Sequence, residues 1–240
     1  MSTNKQTDHN IAKFIDHTNV KVDSDTKSIK KTCLEAIKYG FHSVCVTPYR
    51  VAEAKRYLGK NKNIELIAVI GFPFGFTTTN VKSIEAQEAV KNGATEIDMV
   101  ININAIKDKD WKYVENDISQ VVKSSWPCLV KVILEPGYLS ESELIQACLI
   151  SKKAGARYVK TATGYGLRGA IIKDIDTMKK TIGDQMEIKA SGGINDLKTA
   201  LLMIKHGANR IGTSSGLEII GAKKNNKKSQ IKTKKTNYNY

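Results

Sequence analysis

A helix that ends in glycine and is followed a few residues later by a short strand recurs along this chain. The glycines that end these helices lie 52 to 62 residues apart, at Gly40, Gly93, Gly155 and Gly207. Glycine just past a helix supplies the left-handed backbone turn that other residues resist. Each interval has room for two strand–helix units, so the spacing predicts eight strands that alternate with helices.

Short apolar segments occupy the positions where this spacing requires strands. They are residues 14–16, 43–46, 66–70, 96–100, 129–134, 158–160, 187–190 and 210–212. Several are β-branched and apolar on both faces, as in parallel strands covered by helices. The sequence therefore predicts an α/β fold, a (β/α)8 TIM barrel in a single domain. An open doubly wound sheet is the alternative, but the GxGxxG turn that it requires after the first strand does not occur here.

Amphipathic patterns predict helices between these strands. Ser140 and Glu143 form a capping-box pattern at the start of one helix. Leu197, Leu201 and Ile204 fall on one face of another, and we expect that face to be buried.

The positive charge of the chain is concentrated near its end. The formal net charge is +14, but nearly all of the positive charge is lysine and much of the excess follows Ala222. Lysine-rich runs of this kind are usually solvated and disordered. We therefore expect residues 1–220 to form the barrel and residues 221–240 to form a disordered tail. The distribution argues against a specific nucleic-acid partner.

The rest of the composition favours a cytoplasmic protein. No apolar run approaches the roughly 20 residues of a membrane span, and the polar first ten residues do not resemble a signal peptide. The cysteines form no CxxC pair and have no neighbouring histidines, which argues against a zinc site and against a disulfide framework. They are Cys33, Cys45, Cys128 and Cys148.

Charged residues stand at the carboxyl ends of the predicted strands, where barrel enzymes place their active sites. A lysine that attacks a carbonyl must first lose its proton, and burial and a nearby cation both favour that loss. Lys160 is the expected Schiff-base nucleophile, Lys189 the nearby cation, and Asp98 a group that moves protons. This chemistry requires no metal and no other cofactor. The strand-end residues are Asp16, Cys45, Asp98, Lys131, Lys160 and Lys189.

Two glycine-containing loops follow the last two predicted strands. Residues 191–194 read SGGI and residues 212–216 read GTSSG. Barrels often bind phosphate in these two loops, through backbone N–H groups and a helix N-terminus. The pair of loops therefore predicts a phosphorylated substrate.

Seven stretches, in order, resemble the deoxyribose-phosphate aldolase family of class I Schiff-base aldolases over residues 11–220. They are IDHT at 15–18, SVCV at 43–46, EIDMVIN at 96–102, VKVILE at 130–135, VKTATG at 159–164, KASGG at 189–193 and RIGTSSG at 210–216. The resemblance implies reversible cleavage of 2-deoxy-D-ribose 5-phosphate to acetaldehyde and D-glyceraldehyde 3-phosphate, in deoxyribose phosphate catabolism.

The resemblance also implies a role for individual residues. Lys160 would form the Schiff base, Lys189 would lower its pKa and assist proton transfer, and Asp98 would move protons with support from Lys131 and Asp16. Thr163 and Cys45 would lie at the pocket, and Tyr240, the last residue, would reach the active site as the final tyrosine does in some family members. The expected phosphate ligands are Gly164, Gly192, Gly193, Gly212, Ser214 and Ser215. Family members are commonly homodimers or homotetramers.

Two other functions remain open at this point. Another Schiff-base aldolase or transaldolase on the same barrel would share the imine chemistry but use a ketone donor. A non-enzymatic protein could use its basic tail to bind RNA or an acidic partner, and that binding would weaken steeply with salt.

Overall fold

Eight parallel strands, hydrogen-bonded in chain order, close into a barrel. The computed structural model describes residues 11–223. The last strand pairs with the first, so that Ile211 lies opposite Ile15 and Gly212 opposite Asp16. The predicted (β/α)8 barrel is confirmed. Its strands are β1 (Ile15–Asn19), β2 (Ser43–Val46), β3 (Glu65–Ile70), β4 (Glu96–Val100), β5 (Leu129–Ile133), β6 (Tyr158–Lys160), β7 (Glu187–Ser191) and β8 (Arg210–Thr213).

Helices separate the strands and cover the outside of the barrel. Each of the four helix-ending glycines precedes a strand as predicted, and Gly40 ends its helix with a φ of 65°. The capping box of Ser140 and Glu143 is present. The helices described are α1 (Thr26–Tyr39), α2 (Val51–Leu58), α3 (Thr79–Lys91), α4 (Ile103–Lys107), α5 (Trp111–Ser124), α6 (Glu141–Lys153), α7 (Ile172–Ile182), α8 (Leu197–Lys205) and α9 (Gly216–Ile219).

The apolar core lies between the strands and the helices. Successive residues of a strand face opposite sides of the sheet. On β4, Ile97 and Met99 belong to the outer apolar core, whereas Glu96 and Asp98 are buried charges. The same alternation on the other strands leaves a barrel interior that is rich in charge, where branched apolar residues usually predominate.

Two details differ from the sequence-based expectations. The first strand begins at Ile15 and continues to Asn19, beyond the predicted segment 14–16. The predicted apolar face of α8 is confirmed for Leu197 and Ile204, which pack against the core, and is wrong for Leu201, which is exposed. The buried residues of that helix are Ala200 and Met203, which are rotated by about one residue from the predicted face.

Part of the sequence lies beyond what the structure describes. Tyr240 and the lysine-rich segment 224–240 are outside the described residues, so the boundary predicted at residue 220 stays a prediction. Among residues 11–223, none of the helices combines the length and the apolar character needed to cross a bilayer.

Candidate active site

Asp98 lies at the centre of three lysines from three neighbouring strands. Its Oδ2 accepts hydrogen bonds from Nζ of Lys160 at 2.8 Å and from Nζ of Lys189 at 2.7 Å. Its Oδ1 accepts a hydrogen bond from Nζ of Lys131 at 3.0 Å. The barrel register brings these residues together, because Asp98 pairs with Lys131 and Lys160 pairs with Lys189. Lys160 is 4% exposed and the other three residues are fully buried.

The surroundings of Lys160 and Lys189 shift the pKa values of their two amines in opposite directions. Burial lowers the pKa of Lys160 and the charge of Lys189 lowers it further, against the opposing effect of Asp98. Burial also disfavours the charge on Lys189, but Asp16 and Asp98 outweigh it and raise the pKa of Lys189. The surroundings therefore favour the neutral amine at Lys160 and the charged form at Lys189.

The Asp98 carboxylate is held in its charged form. Burial by itself would favour the neutral acid, but the adjoining lysines, Lys131, Lys160 and Lys189, keep the pKa of Asp98 well below its usual value. A charged carboxylate 2.8 Å from Nζ of Lys160 is within reach of a proton on that amine or on an adduct formed there.

Asp16 continues the cluster toward β8. Its Oδ2 lies 2.6 Å from Nζ of Lys189, and its Oδ1 accepts hydrogen bonds from Arg210 Nη2 at 2.6 Å and from Ser43 Oγ at 2.6 Å. Arg210 Nη2 also donates to Oε2 of Glu96 at 3.1 Å. Glu96 in turn accepts from Nζ of Lys131 at 2.5 Å, so the charges form one continuous network.

Sequence reasoning did not assign a role to Glu96 or Arg210. A signal for both was present, because each lies two residues before a predicted site residue on the same strand. Side chains two apart on a strand share one face. Glu96 therefore lies on the face of Asp98, and Arg210 on the face of Gly212.

A cavity of about 260 Å³ opens above Lys160. Seven of the predicted site residues line it, and Asp16, Asp98, Lys131 and Lys189 lie outside its lining, in the charge cluster below Lys160. The predicted residues that line the cavity are Lys160, Thr163, Gly164, Gly192, Gly193, Gly212 and Ser214.

Cys45 and Ser215 are not brought into this lining. Cys45 is buried with Ile67 and Val69 in a small apolar cluster, and burial raises the pKa of its thiol. Ser215 instead donates from its Oγ to Oδ1 of Asn195 at 3.1 Å. Within residues 11–223, no group of three or more His, Cys, Asp or Glu side chains is arranged to hold a metal ion.

The glycines of the lining have backbone geometry suited to an anion. Gly164 and Gly193 have φ values of 88° and 77°, a region that other residues rarely adopt. The backbone N–H groups of Gly164, Gly193 and Ser214 donate to no other described residue. The start of α8 lies outside this lining, and the carboxylate of Asp196 caps it by accepting from the N–H of Thr199 at 2.8 Å.

Lys21 is a lining residue that sequence reasoning missed. Among the described residues that line the cavity, Lys21 and Lys160 are the cations. The side chain of Lys21 is exposed and forms no ion pair with any residue of the described range. It stands in the loop after β1, at the edge of the cavity that the two glycine loops also line.

Glu135 supports the segment that follows Lys160. Its Oε2 accepts a hydrogen bond from the backbone N–H of Thr163 at 2.8 Å. The residue has a φ of 52°, and its buried Oε1 has no hydrogen-bond partner among the described residues. A residue other than glycine is uncommon in this left-handed region, and the sequence carries no clear signal for it.

Comparison with known proteins agrees with this geometry. A family model described as DeoC/LacD family aldolase matches residues 10–222. The deoxyribose-phosphate aldolase of Thermococcus kodakarensis is 53% identical over 88% of this chain and 95% of that protein. The corresponding enzyme of Methanothermobacter thermautotrophicus is 50% identical over 90% of this chain and 96% of that protein.

A solved structure extends the likeness to the fold. The structure described as a unique tetrameric structure of deoxyribose phosphate aldolase from Aeropyrum pernix has a TM-score of 0.83 and 31% identity, over 91% of this chain and 93% of that one. With the buried lysine cluster and the cavity above it, these matches lead to one conclusion: the chain belongs to the DeoC/LacD aldolase family.

Proposed function

We propose that this chain is a class I aldolase that reversibly cleaves 2-deoxy-D-ribose 5-phosphate to acetaldehyde and D-glyceraldehyde 3-phosphate. One observation carries the proposal. A buried lysine with a lowered pKa, Lys160, forms the floor of a cavity whose wall includes glycine loops suited to phosphate. An electrophilic carbonyl and a phosphate could therefore be held at once by one small molecule.

The first step is attack of the neutral Lys160 amine on C1 of the open-chain aldehyde. Loss of water from the resulting carbinolamine gives a protonated imine. When the C3 hydroxyl gives up its proton, the C2–C3 electron pair moves into the imine and the bond breaks. D-glyceraldehyde 3-phosphate leaves, and an enamine of acetaldehyde remains on Lys160. Protonation at C2 and hydrolysis then release acetaldehyde and restore the amine.

Asp98 is the proposed proton carrier for these steps. Its Oδ2 already accepts a hydrogen bond from the Lys160 amine. A carboxylate at this distance can take a proton from the carbinolamine region and return one to the enamine. Lys131 holds the other oxygen of Asp98 at 3.0 Å, which fixes the orientation of the carboxylate.

Lys189 acts in this proposal chiefly as a fixed cation. Asp16 and Asp98 raise its pKa, so its positive charge persists when Lys160 is neutral. A persistent cation disfavours a second charge on Lys160 and keeps the amine nucleophilic. A direct part of Lys189 in proton transfer, as the resemblance implies, stays a prediction.

The phosphate is proposed to bind among the loops after β6, β7 and β8. Gly164, Gly193 and Ser214 offer backbone N–H groups there, and Lys21 offers a positive charge. The side chain of Thr163 adds a hydroxyl group to the same lining, whereas the hydroxyl of Thr213 already donates to the backbone oxygen of Ile194 at 2.7 Å. Backbone donors and a cation are together well suited to a phosphate dianion.

We also propose a cytoplasmic homo-oligomer, a homodimer or a homotetramer. The support is the description of the Aeropyrum pernix relative as tetrameric and the scattered cysteines, which are free throughout residues 11–223. Sedimentation velocity of the purified full-length chain would measure the oligomeric state.

The central test is reductive trapping. The protein is incubated with acetaldehyde and borohydride, and the modified peptide is located by mass spectrometry. We expect a two-carbon adduct on Lys160 and none at that position in Lys160→Leu, which retains a side chain of moderate size in the buried site. An intact, folded protein without an adduct on Lys160 would overturn the proposal.

Donor specificity separates this function from the ketone-donor alternative. A parallel trapping experiment with dihydroxyacetone tests whether Lys160 forms an imine with a ketone donor. Efficient adduct formation with dihydroxyacetone and not with acetaldehyde would favour an aldolase or transaldolase with a ketone donor.

A further inference from the structure

The buried network around Asp98 contains one more cation than carboxylates. Its ion pairs connect four cations with three carboxylates, and none of the seven side chains belongs to a residue more than 4% exposed. A buried charge without a partner is costly, and an ionisable group in that position tends to give up its charge. The net charge of the network is zero when one of the four cations loses its proton. Its members are Asp16, Glu96, Asp98, Lys131, Lys160, Lys189 and Arg210.

The contacts identify which cation this is. Arg210 keeps its proton because a guanidinium is not deprotonated in proteins. Lys131 contacts two carboxylates, at 2.5 and 3.0 Å, and Lys189 contacts two, at 2.6 and 2.7 Å. Lys160 contacts only one in the described range, Asp98 at 2.8 Å, and it shares that carboxylate with both other lysines.

Other titratable groups near the network do not alter this count. Burial raises the pKa of the Cys45 thiol on β2 and of the Tyr158 phenol on β6, so both are neutral. Arg210 Nη1 is hydrogen-bonded to Nε2 of His42. Arginine can only donate, so this nitrogen of His42 accepts, and Oε1 of Glu96 lies 3.9 Å from it. On β3, the face that points into the barrel carries Ile67 and Val69, which do not titrate, and Glu65 at the start of the strand, which is only partly buried and forms no ion pair with the seven side chains.

We propose that Glu96 and Arg210 are positioning residues that set the charge balance of this network and thereby make Lys160 its neutral amine. Neither residue is part of the cavity lining, so neither is placed to touch a substrate. They act with opposite sign: Glu96 supplies a negative charge that favours protonation of Lys160, and Arg210 supplies a positive charge that disfavours it. Only the catalytic role of the neutral Lys160 amine depends on the proposed aldolase function; the charge balance itself does not.

The experiment titrates Lys160 directly, without turnover. Acetic anhydride, a small amine reagent, is applied in brief pulses across a range of pH, and acetylation of Lys160 is quantified by mass spectrometry. In the wild-type chain, we expect Lys160 to titrate below the ordinary pKa of lysine. Titration of Lys160 at the ordinary value would overturn the proposal without any variant.

Two charge-removing variants should then move the titration in opposite directions. Glu96→Gln should shift it to lower pH and Arg210→Gln to higher pH, each by on the order of one pH unit. The double variant Glu96→Gln/Arg210→Gln again has one more cation than carboxylates, and we expect its Lys160 to titrate close to the wild-type pH. This last expectation is independent of the two single variants and holds even if one of them folds poorly.

Conservative variants provide the matched controls. Glu96→Asp and Arg210→Lys keep each charge while changing the packing, and they should leave the titration of Lys160 nearly in place. Shifts in the same direction for Glu96→Gln and Arg210→Gln would overturn the proposal. So would equal shifts for Arg210→Lys and Arg210→Gln, because packing and not charge would then be the cause.

The outcomes separate this inference from the proposed function. An acetaldehyde adduct on Lys160, together with a titration that Glu96→Gln and Arg210→Gln leave unmoved, would overturn the charge-balance inference alone. The expected shifts without any adduct would overturn the aldolase proposal alone.

Discussion

Gly212 makes room for the side chain of Lys189. A Cβ added to Gly212 would lie 2.9 Å from Cε of Lys189 and 2.9 Å from Cβ of Ser191. Real Cβ atoms do not approach other carbons this closely, so any larger residue at position 212 must displace a neighbour. The glycine predicted as a phosphate ligand therefore also determines where the buried cation lies.

Gly212→Ala should both destabilise the protein and weaken its activity. Overpacking of a buried site typically costs about 1–3 kcal/mol, and movement of Lys189 would weaken its influence on Lys160. We expect lower stability in chemical denaturation and an activity profile shifted to higher pH. Unchanged stability with an unchanged pH profile would show that the strand absorbs the added methyl group.

Lys189→Met should raise the pH at which the enzyme becomes active. The charge of Lys189 lowers the pKa of Lys160, so its removal raises that pKa and leaves Lys160 protonated to higher pH. The acidic limb of kcat/KM against pH should move upward, and kcat at neutral pH should fall. A slower enzyme with an unmoved acidic limb would contradict the tuning role.

Lys21→Ala should weaken binding of the phosphate specifically. Loss of a charge-assisted hydrogen bond at an accessible site should raise KM for 2-deoxyribose 5-phosphate by roughly tenfold. Turnover of unphosphorylated 2-deoxyribose should change little. Lys27→Ala is the matched control, because Lys27 is also an exposed lysine but lies outside the cavity lining. Equal effects on the two sugars would place Lys21 outside the phosphate site.

Glu135→Met should loosen the segment that follows Lys160. The variant removes the acceptor for the backbone N–H of Thr163, whereas Glu135→Gln keeps an acceptor oxygen in a side chain of the same length. We expect a higher KM for the phosphorylated substrate in Glu135→Met and a smaller change in Glu135→Gln. Indistinguishable kinetics for the two variants would mean that this hydrogen bond does not hold the segment.

Lys82 on α3 and Asp117 on α5 form a buried ion pair between these two helices. Nζ of Lys82 lies 2.6 Å from Oδ2 of Asp117 and donates to the backbone oxygen of Val100 at 3.0 Å. Lys82→Met should lower the free energy of unfolding by about 3–5 kcal/mol, because it leaves the carboxylate buried and unpaired. Lys82→Met/Asp117→Leu should recover much of that loss in urea denaturation. A double variant less stable than Lys82→Met would contradict this explanation.

The fold and the centre of the site could be predicted because both depend on local patterns. Glycines at helix ends and apolar segments at the required spacing located all eight strands. Once the barrel was predicted, topology indicated that Asp98, Lys131, Lys160 and Lys189 converge inside it. Their predicted position at the carboxyl ends of the strands holds for Lys160, whereas the other three lie in mid-strand, below the cavity. Alternation along the strands would also have placed Glu96 beside Asp98, although sequence reasoning did not apply it to that residue.

Other features depend on contacts that no local pattern specifies. Lys21 lies in a polar loop, and only the folded chain brings this loop to the cavity that the glycine loops line. Glu135 has a left-handed backbone, and its carboxylate contacts Thr163, far along the chain. The exposure of Leu201 follows from the rotation of α8 on the barrel, which several apolar residues on that helix leave ambiguous.

The pairing of β8 with β1 completes the active site, so the site forms only after β8 has joined the barrel. Nε of Arg210 donates to Oδ1 of Asp16 across a separation of 194 residues, and Gly212, which makes room for Lys189, lies on the same final strand. During synthesis, the first strands leave the ribosome long before β8 is made. A nascent or truncated chain without β8 would hold several of the reactive groups, but not their final arrangement. Catalysis would therefore begin only after ring closure, so enzymatic activity reports that the barrel has closed.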